Sequence, residues 1–224
     1  MFQIHVTATQ NLLDALSCDP PPFWINIGSA AQYGRQENST EPRMSERHAD
    51  APASAYGASK VEQENVVRAN AERGNIAPIF LRVFNAIGPG QAGPFALPYL
   101  MAALNEARAS NAPSITLDRW DAVRDFIDVR DVARAVVAVI RHPPAAGNRL
   151  NVCTGQPTTL IDLARRLASV TQSQITWEPG SSVHDTNEIP WQCGSPSKIF
   201  ELCHWRPSFS LDQTLSDTWA FSNR

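Results

Sequence analysis

The chain has 224 residues, a formal net charge of −3 and an apolar fraction of 43%. These values describe a folded globular protein, and this charge gives no reason to expect nucleic acid or an anionic membrane as a partner. No apolar segment approaches the length of roughly 18 residues that a transmembrane helix needs. The N-terminus lacks a basic segment followed by an apolar run, so we expect no secretory signal and a cytoplasmic protein.

Signals for strands and helices alternate along the chain. Apolar residues at helical spacing, bounded by proline and glycine, predict helices, whereas short β-branched or aromatic runs predict strands. The predicted helices cover residues 6–16, 54–73, 98–109, 129–141, 159–170 and 211–221. The predicted strands cover residues 23–27, 79–84, 114–117 and 150–152. This alternation indicates an α/β fold with a largely parallel sheet.

The segments between these elements are rich in turn-forming residues. Residues 35–53 are polar and contain two prolines, so they are predicted to form a surface loop. The tail from residue 172 onward is predicted to be rich in turns, with a last helix near its end.

Cysteine and histidine residues are scattered through the sequence. The cysteines Cys18, Cys153, Cys193 and Cys203 include no C-x-x-C pair, and the five histidines have no ligand spacing such as H-x-x-x-H. We therefore expect reduced thiols and no metal site.

Tyr56 and Lys60 form the strongest local signal, in the run Tyr-Gly-Ala-Ser-Lys. Because residues four apart share one face of a helix, the two side chains should project together. A nearby ammonium favours tyrosinate, which makes a tyrosine usable as an acid or a base near neutral pH. The alternative is a surface tyrosine and lysine that share this spacing by chance.

Three further residues stand where strands and turns meet. Ser29 follows the strand over residues 23–27, and the carboxyl ends of strands are where open α/β sheets bind ligands. Asn85 follows the next predicted strand, and Arg124 lies among four aspartates. The alternatives are that Ser29 only ends its strand, that Asn85 caps the following turn, and that Arg124 is an ordinary ion-paired residue.

Four sequence blocks occur in a fixed order. They are Ser-x-x-x-Tyr-Gly from Ser29, Tyr-x-x-x-Lys from Tyr56, Arg-x-Phe-Asn-x-x-Gly-Pro-Gly from Arg82, and Arg-Asp-Phe-x-x-Val-x-Asp-Val-Ala from Arg124. With these blocks the chain resembles the extended short-chain dehydrogenase/reductases, of the NAD-dependent epimerase/dehydratase type that acts on nucleotide sugars. The resemblance covers essentially the whole chain. Within the family, the runs over residues 87–91 and 121–125 look most like GDP-4-keto-6-deoxymannose reductases.

The resemblance implies an epimerase, dehydratase or reductase that transfers a hydride, with NAD or NADP as cofactor and a nucleotide sugar as substrate. Tyr56 would be the general acid and base, Lys60 would hold the nicotinamide ribose, and Ser29 would bond the reacting oxygen. Gly28 and Phe84 would contact the cofactor together with Tyr56 and Lys60.

Substrate binding and assembly are also implied by the resemblance. Asn85 and Arg124 would contact the nucleotide diphosphate, a task that suits the bidentate guanidinium of arginine. Family members often form homodimers through a helix bundle, so the chain is expected to pair through the helix of Tyr56.

The start of the chain departs from the family pattern. The family begins with a strand, a Gly-x-x-Gly-x-x-Gly turn and a helix, which hold the cofactor pyrophosphate, and this sequence contains no such element. The resemblance starts at Val6; His5 stands where the family usually has Asn, and Ala8 where it usually has Gly. The alternative function is therefore an incompetent remnant, or a chain that needs a partner or an N-terminal segment to bind cofactor.

The expected architecture is a partial Rossmann-like parallel sheet without its glycine-loop units, joined to a small C-terminal α+β substrate domain. Residues 1–88 and 123–155 are assigned to the Rossmann-like part. Residues 89–122 and 156–224 are assigned to the substrate domain.

Overall fold

The structure, a computed structural model, describes residues 1–16, 20–35, 43–182 and 189–223. Cys18 and part of the predicted loop over residues 35–53 lie outside the described residues. The helices are α1 (Ala8–Asp14), α2 (Ala55–Glu72), α3 (Ala96–Ala109), α4 (Val129–Arg141), α5 (Leu160–Val170), α6 (Ser197–Cys203) and α7 (Leu211–Ser222). The strands are β1 (Phe23–Ser29), β2 (Ala77–Val83), β3 (Asn85–Ile87), β4 (Ser114–Leu117), β5 (Val123–Asp128), β6 (Arg149–Val152), β7 (Pro157–Thr159), β8 (Thr176–Pro179) and β9 (Trp191–Gln192). A π-helical turn over Gln3–Thr7 precedes α1, and a 3-10 turn over Ala30–Gln32 follows β1.

A parallel sheet with the strand order β1-β2-β6 forms the first half of the fold. Its register places Ser29 opposite Val83, so the carboxyl ends of β1 and β2 lie side by side. Alternate residues of a strand face opposite sides. Ile79 and Leu81 of β2 accordingly join the cluster that includes residues of α4 and α6, whereas Phe80 joins the cluster that includes residues of α1 and α2.

A four-stranded sheet and a two-stranded sheet form the second half. Strand β5 pairs in parallel with β3 and β9 and antiparallel with β7, and β4 pairs in parallel with β8. Helices α3, α5 and α7 pack around these strands in the largest buried apolar cluster, to which Leu100, Leu163, Trp177 and Leu215 belong. Among the described residues, no helix is both long enough and apolar enough to span a membrane.

The α/β class and the partial, largely parallel Rossmann-like sheet are confirmed, and the six predicted helices are present. Within the predicted turn-rich tail the structure also contains β8, β9 and α6, which the local pattern did not predict. Strands β3, β5 and β7 were also missed. Strands β3 and β7 have only three residues each, the apolar pattern of β5 is interrupted by Asp125, and all three strands pair with partners distant in sequence, which a local pattern does not reveal. The division into domains stays a prediction.

Candidate active site

Ser29 ends β1 and begins the 3-10 turn that follows it. Its Oγ accepts a hydrogen bond from the Ala31 amide at 3.2 Å, and its own amide donates to Gln32 Oε1 at 2.9 Å. A Cβ at Gly28 would lie 2.4 Å from Gln32 Oε1, so glycine is what lets the Gln32 side chain fold back over the strand. Ser29 therefore sits in a capping box at the carboxyl end of β1.

The first turn of α2 lies directly against this capping box. Ser54 caps the helix by accepting a hydrogen bond from the Gly57 amide at 3.1 Å. A Cβ at Gly57 would lie 2.4 Å from the Ala31 carbonyl oxygen, so a glycine is required for this close approach. The approach brings Tyr56, which is 38% exposed, to the edge of the sheet that carries Ser29.

Lys60 lies one turn further along α2, on the same face as Tyr56. Its Nζ donates to the Ile27 carbonyl oxygen at 2.9 Å and to Gln63 Oε1 at 3.0 Å. Burial lowers the pKa of Lys60. The Ile27 contact holds the ammonium near the end of β1, where the close approach of Gly57 to Ala31 also brings the first turn of α2.

His5 packs against the same face of α2 from the π-helical turn. Its Nδ1 lies 2.9 Å from Ser59 Oγ, and its ring meets the Tyr56 ring edge-on with the centroids 5.5 Å apart. Burial, then the positive charges of Lys60 and the terminal amino group, lower the pKa of His5. An imidazole with a lowered pKa therefore adjoins the Tyr56–Lys60 pair.

The two predicted substrate-binding residues lie on neighbouring strands. Asn85 begins β3, and its Nδ2 donates to the Asp125 carbonyl oxygen of β5 at 3.2 Å, so this side chain bridges two strands. Arg124 lies on β5, is half-buried, and donates from Nη1 to the Val123 carbonyl oxygen at 2.8 Å. The two residues thus lie on the paired strands β3 and β5, with Asn85 opposite Phe126.

Phe84 follows β2 and is buried. Its ring packs in an apolar cluster with Tyr33, Met44 and Cys153, and a Cβ at Gly194 would clash with it at 2.5 Å. The ring is therefore a core group, and a direct cofactor contact by Phe84 stays a prediction.

A buried network of charges lies behind the site. Gln32 Nε2 donates to Glu64 Oε2 at 2.9 Å, and the Glu64 carboxylate also binds Arg68, Arg82 and Arg149 at distances between 2.5 and 3.0 Å. Burial by itself would raise the pKa of Glu64, but the charge of Arg82 and the hydrogen bonds from Arg68 and Gln32 lower it to about 2. Through Gln32, this network supports the turn that carries Ser29.

Sequence reasoning missed the supporting residues of the site: Gln32, Ser59, Gln63, Glu64 and Arg82. One of them had a signal. Ser29-x-x-Gln32 is the spacing of a capping box, which predicts that the two side chains and backbone amides bond reciprocally. The others depend on tertiary contacts between α2, β2 and the N-terminal turn.

The residues present fit a nicotinamide nucleotide. A phenol and an ammonium lie on one helix face at the carboxyl edge of a parallel sheet, where such folds bind dinucleotides. Among the described residues, no group of three or more His, Cys, Asp or Glu side chains could hold a metal ion.

Comparison with known proteins identifies the family. The model of the NAD dependent epimerase/dehydratase family matches residues 1–153. The chain belongs to this family. The predicted resemblance is thereby confirmed, and so is the expectation of an NAD- or NADP-dependent family.

Relatives that act on 6-deoxy sugars are among the matches. The chain is 29% identical to the dTDP-6-deoxy-L-talose 4-dehydrogenase (NAD(P)(+)) of Kitasatospora kifunensis, across 98% of this chain and 69% of that protein. It is 28% identical to the GDP-6-deoxy-D-mannose reductase of Pseudomonas aeruginosa, across 96% of this chain and 70% of that protein. The structure of RMD from Pseudomonas aeruginosa complexed with NADPH superimposes with a TM-score of 0.87 at 26% identity and covers all of this chain and 75% of that one.

Proposed function

We propose that this family member is an NAD(P)-dependent enzyme that oxidises or reduces a nucleotide-linked 6-deoxyhexose at carbon 4. The observation that carries the proposal is the convergence of Tyr56 and Lys60 of α2 with Ser29 at the end of β1. The relatives whose names specify 6-deoxy sugars support the sugar class, and two of them are named 4-dehydrogenases.

The proposed chemistry divides hydride and proton transfer between the cofactor and the protein. The nicotinamide supplies or accepts the hydride when it is bound. Tyr56 donates its phenolic proton to the sugar carbonyl oxygen in reduction and removes the hydroxyl proton in oxidation. Ser29 Oγ accepts from the Ala31 amide, so its own proton can be donated to the same sugar oxygen. The ammonium of Lys60 stabilises the phenolate and binds the nicotinamide ribose.

Asn85 and Arg124 are proposed to hold the nucleotide diphosphate. They lie on adjacent strands β3 and β5, and the guanidinium of Arg124 presents the planar fork that matches phosphate oxygens. The amide of Asn85 is fixed by its bond to β5 and offers one more donor.

The first test is the Tyr56→Phe variant, assayed with GDP- and dTDP-linked 4-keto-6-deoxyhexoses and either NADH or NADPH. Because Phe keeps the ring but cannot transfer a proton, turnover should fall by roughly 10²–10⁴-fold. Tyr99→Phe is the matched control, since Tyr99 is an exposed tyrosine on α3 and should keep full activity. Thermal melts of both variants establish that the fold is intact. Equal turnover by Tyr56→Phe and the unmodified chain would contradict the assignment.

The proposal also includes a homodimer and a cytoplasmic location. A homodimer that uses α2 is supported by the neighbouring α1, on which Leu12 stays 61% exposed, and is tested by light scattering. A cytoplasmic location is supported by the buried cysteines Cys153, Cys193 and Cys203, all of which are free thiols.

A second candidate is a chain that binds cofactor only together with a partner chain. The observation in its favour is that β1 forms an outer strand of its sheet and leaves Phe23 43% and Ile27 42% exposed. A thermal melt with millimolar NAD(H) or NADP(H) separates the two candidates. A ligand at 100 times its Kd stabilises the native state by about 2.7 kcal/mol, so a clear rise in Tm supports independent binding, and an unchanged Tm supports the partner.

A further inference from the structure

Two chains of hydrogen bonds start at His5, and one ends at the Tyr56 backbone while the other ends at the Lys60 ammonium. On one side, His5 Nδ1 contacts Ser59 Oγ, which donates to the Tyr56 carbonyl oxygen at 2.8 Å. On the other side, the His5 carbonyl oxygen accepts from Thr9 Oγ1 at 2.6 Å. Thr9 Oγ1 in turn accepts from Gln63 Nε2 at 3.0 Å, and Gln63 Oε1 accepts from Lys60 Nζ. The N-terminal turn therefore holds both members of the pair.

The tautomer of His5 follows from this arrangement. Ser59 has one hydroxyl proton, and the contact with the Tyr56 carbonyl oxygen uses it, because a carbonyl can only accept. Ser59 Oγ must then accept from His5, so the neutral ring carries its proton on Nδ1 and leaves the lone pair on Nε2. Ser59 is completely buried, so water does not compete for this bond.

The ring also interacts with both functional side chains directly. It stands edge-on to Tyr56 at an interplanar angle of 74°, an arrangement that aromatic pairs favour. Burial and, after it, the charge of Lys60 disfavour a positive charge on His5 and lower its pKa. Protonation at Nε2 would leave the bond to Ser59 intact but would place two cations next to Tyr56.

We propose that His5 is a positioning residue for the proposed reaction: as the Nδ1–H tautomer it fixes the first turn of α2 through Ser59, and so holds Tyr56 in register with Lys60. The proposal rests on the function assigned to Tyr56 above. The hydrogen-bonded geometry on which it depends can be measured without cofactor or turnover.

The first measurement is the nitrogen spectrum of ¹⁵N-histidine in the full chain, with His5 assigned by its loss in His5→Asn. We expect the Nδ1–H pattern at neutral pH for His5, and a return to the Nε2–H pattern in Ser59→Ala, which removes the acceptor. Lys60→Met should raise the pKa of His5, because a like charge is removed. An Nε2–H pattern in the unmodified chain would overturn the proposal whether or not the enzyme turns over.

The second measurement separates positioning from a structural contact. His5→Asn keeps a donor in the place of Nδ1, whereas His5→Ala removes it. We expect His5→Ala to lower kcat by up to about a hundredfold with little change in KM for the sugar, and His5→Asn to recover most of kcat. Equal kcat in both variants and the unmodified chain would overturn the positioning role. If the unmodified chain turns over no nucleotide sugar, the proposed function fails, and the proposal for His5 then depends on the nitrogen spectra.

Discussion

The two halves of the molecule are stabilised in different ways. On the α2 side of the β1-β2-β6 sheet, the buried groups include Glu64 and Arg82, neither of them more than 1% exposed, which pair inside the fold. Around β4, β5 and β8, the interior is the large apolar cluster of α3, α5 and α7. The charged interior is linked to Ser29 through Gln32, whereas the apolar interior lies in the half that carries Arg124.

The charge network and the apolar cluster therefore have different roles: the first fixes the geometry near Tyr56, and the second supplies most of the stability from packing. A buried ion pair contributes little net free energy compared with apolar packing, because desolvation offsets the attraction, but removing one partner leaves an unpaired charge. The geometry near Tyr56 therefore depends on a network in which the loss of one charged group leaves its partners buried without a counter-charge. The apolar half tolerates small changes in shape better than the network tolerates a change in charge.

The largest expected effect is from neutralising Glu64. Glu64→Gln leaves Arg68, Arg82 and Arg149 with one fewer carboxylate, and we expect a loss of about 3–5 kcal/mol in the free energy of unfolding. Denaturant unfolding measures this loss. Glu62→Gln is the matched control, because Glu62 is exposed on the same helix and should change stability by less than about 0.5 kcal/mol. Similar losses of unfolding free energy in Glu64→Gln and Glu62→Gln would contradict a special role of the buried charge network.

The next effect comes from a cavity in the apolar half. Leu163 is completely buried in α5, so Leu163→Ala should cost about 2–5 kcal/mol of unfolding free energy. The position of Tyr56 should not change, since the cavity lies outside the charge network. Leu202→Ala, on the exposed side of α6, serves as the control and should be nearly neutral. An altered His5 nitrogen spectrum in Leu163→Ala would show that the two halves are coupled.

The sequence predicted the regular elements and the first set of site residues better than it predicted their support. Helix α4 was predicted with its observed bounds because its apolar residues recur at helical spacing, and in the structure Asp128 caps its start. Strand β5 was missed because Asp125 interrupts its apolar pattern. That carboxylate is buried and satisfied by the amides of Thr154, Gly155 and Gly194, which come from segments far along the chain.

In the site, too, local sequence patterns predicted residues close together in the chain but not contacts between distant segments. Tyr56 and Lys60 were predictable because four residues separate them on one helix. His5 was recognised only as a departure from the family pattern, and its contact with Ser59 spans 54 positions of sequence. Arg82 lies in a β-strand run that otherwise predicts an apolar interior, and its charge is tolerated there because it pairs with Glu64 of α2 and with Asp50.

The smallest expected effect is the response of the charge network to mild acid. The pKa of Glu64 is lowered from 4.5 to about 2 in the folded chain, so its carboxylate contributes stability above pH 4.5 that is lost as the pH falls toward 2. At pH 3 the Glu64 carboxyl of the folded chain is still mostly ionised. The unmodified chain should therefore have lost only part of the stability that the Glu64→Gln substitution removes. Unfolding free energies measured from pH 6 to pH 3 should therefore fall for the unmodified chain and fall less steeply for Glu64→Gln. Leu163→Ala should keep the slope of the unmodified chain, because the cavity binds no proton. Parallel slopes for the unmodified chain and Glu64→Gln would mean that other carboxyl groups, and not the pair with Arg82, determine the acid response of this half.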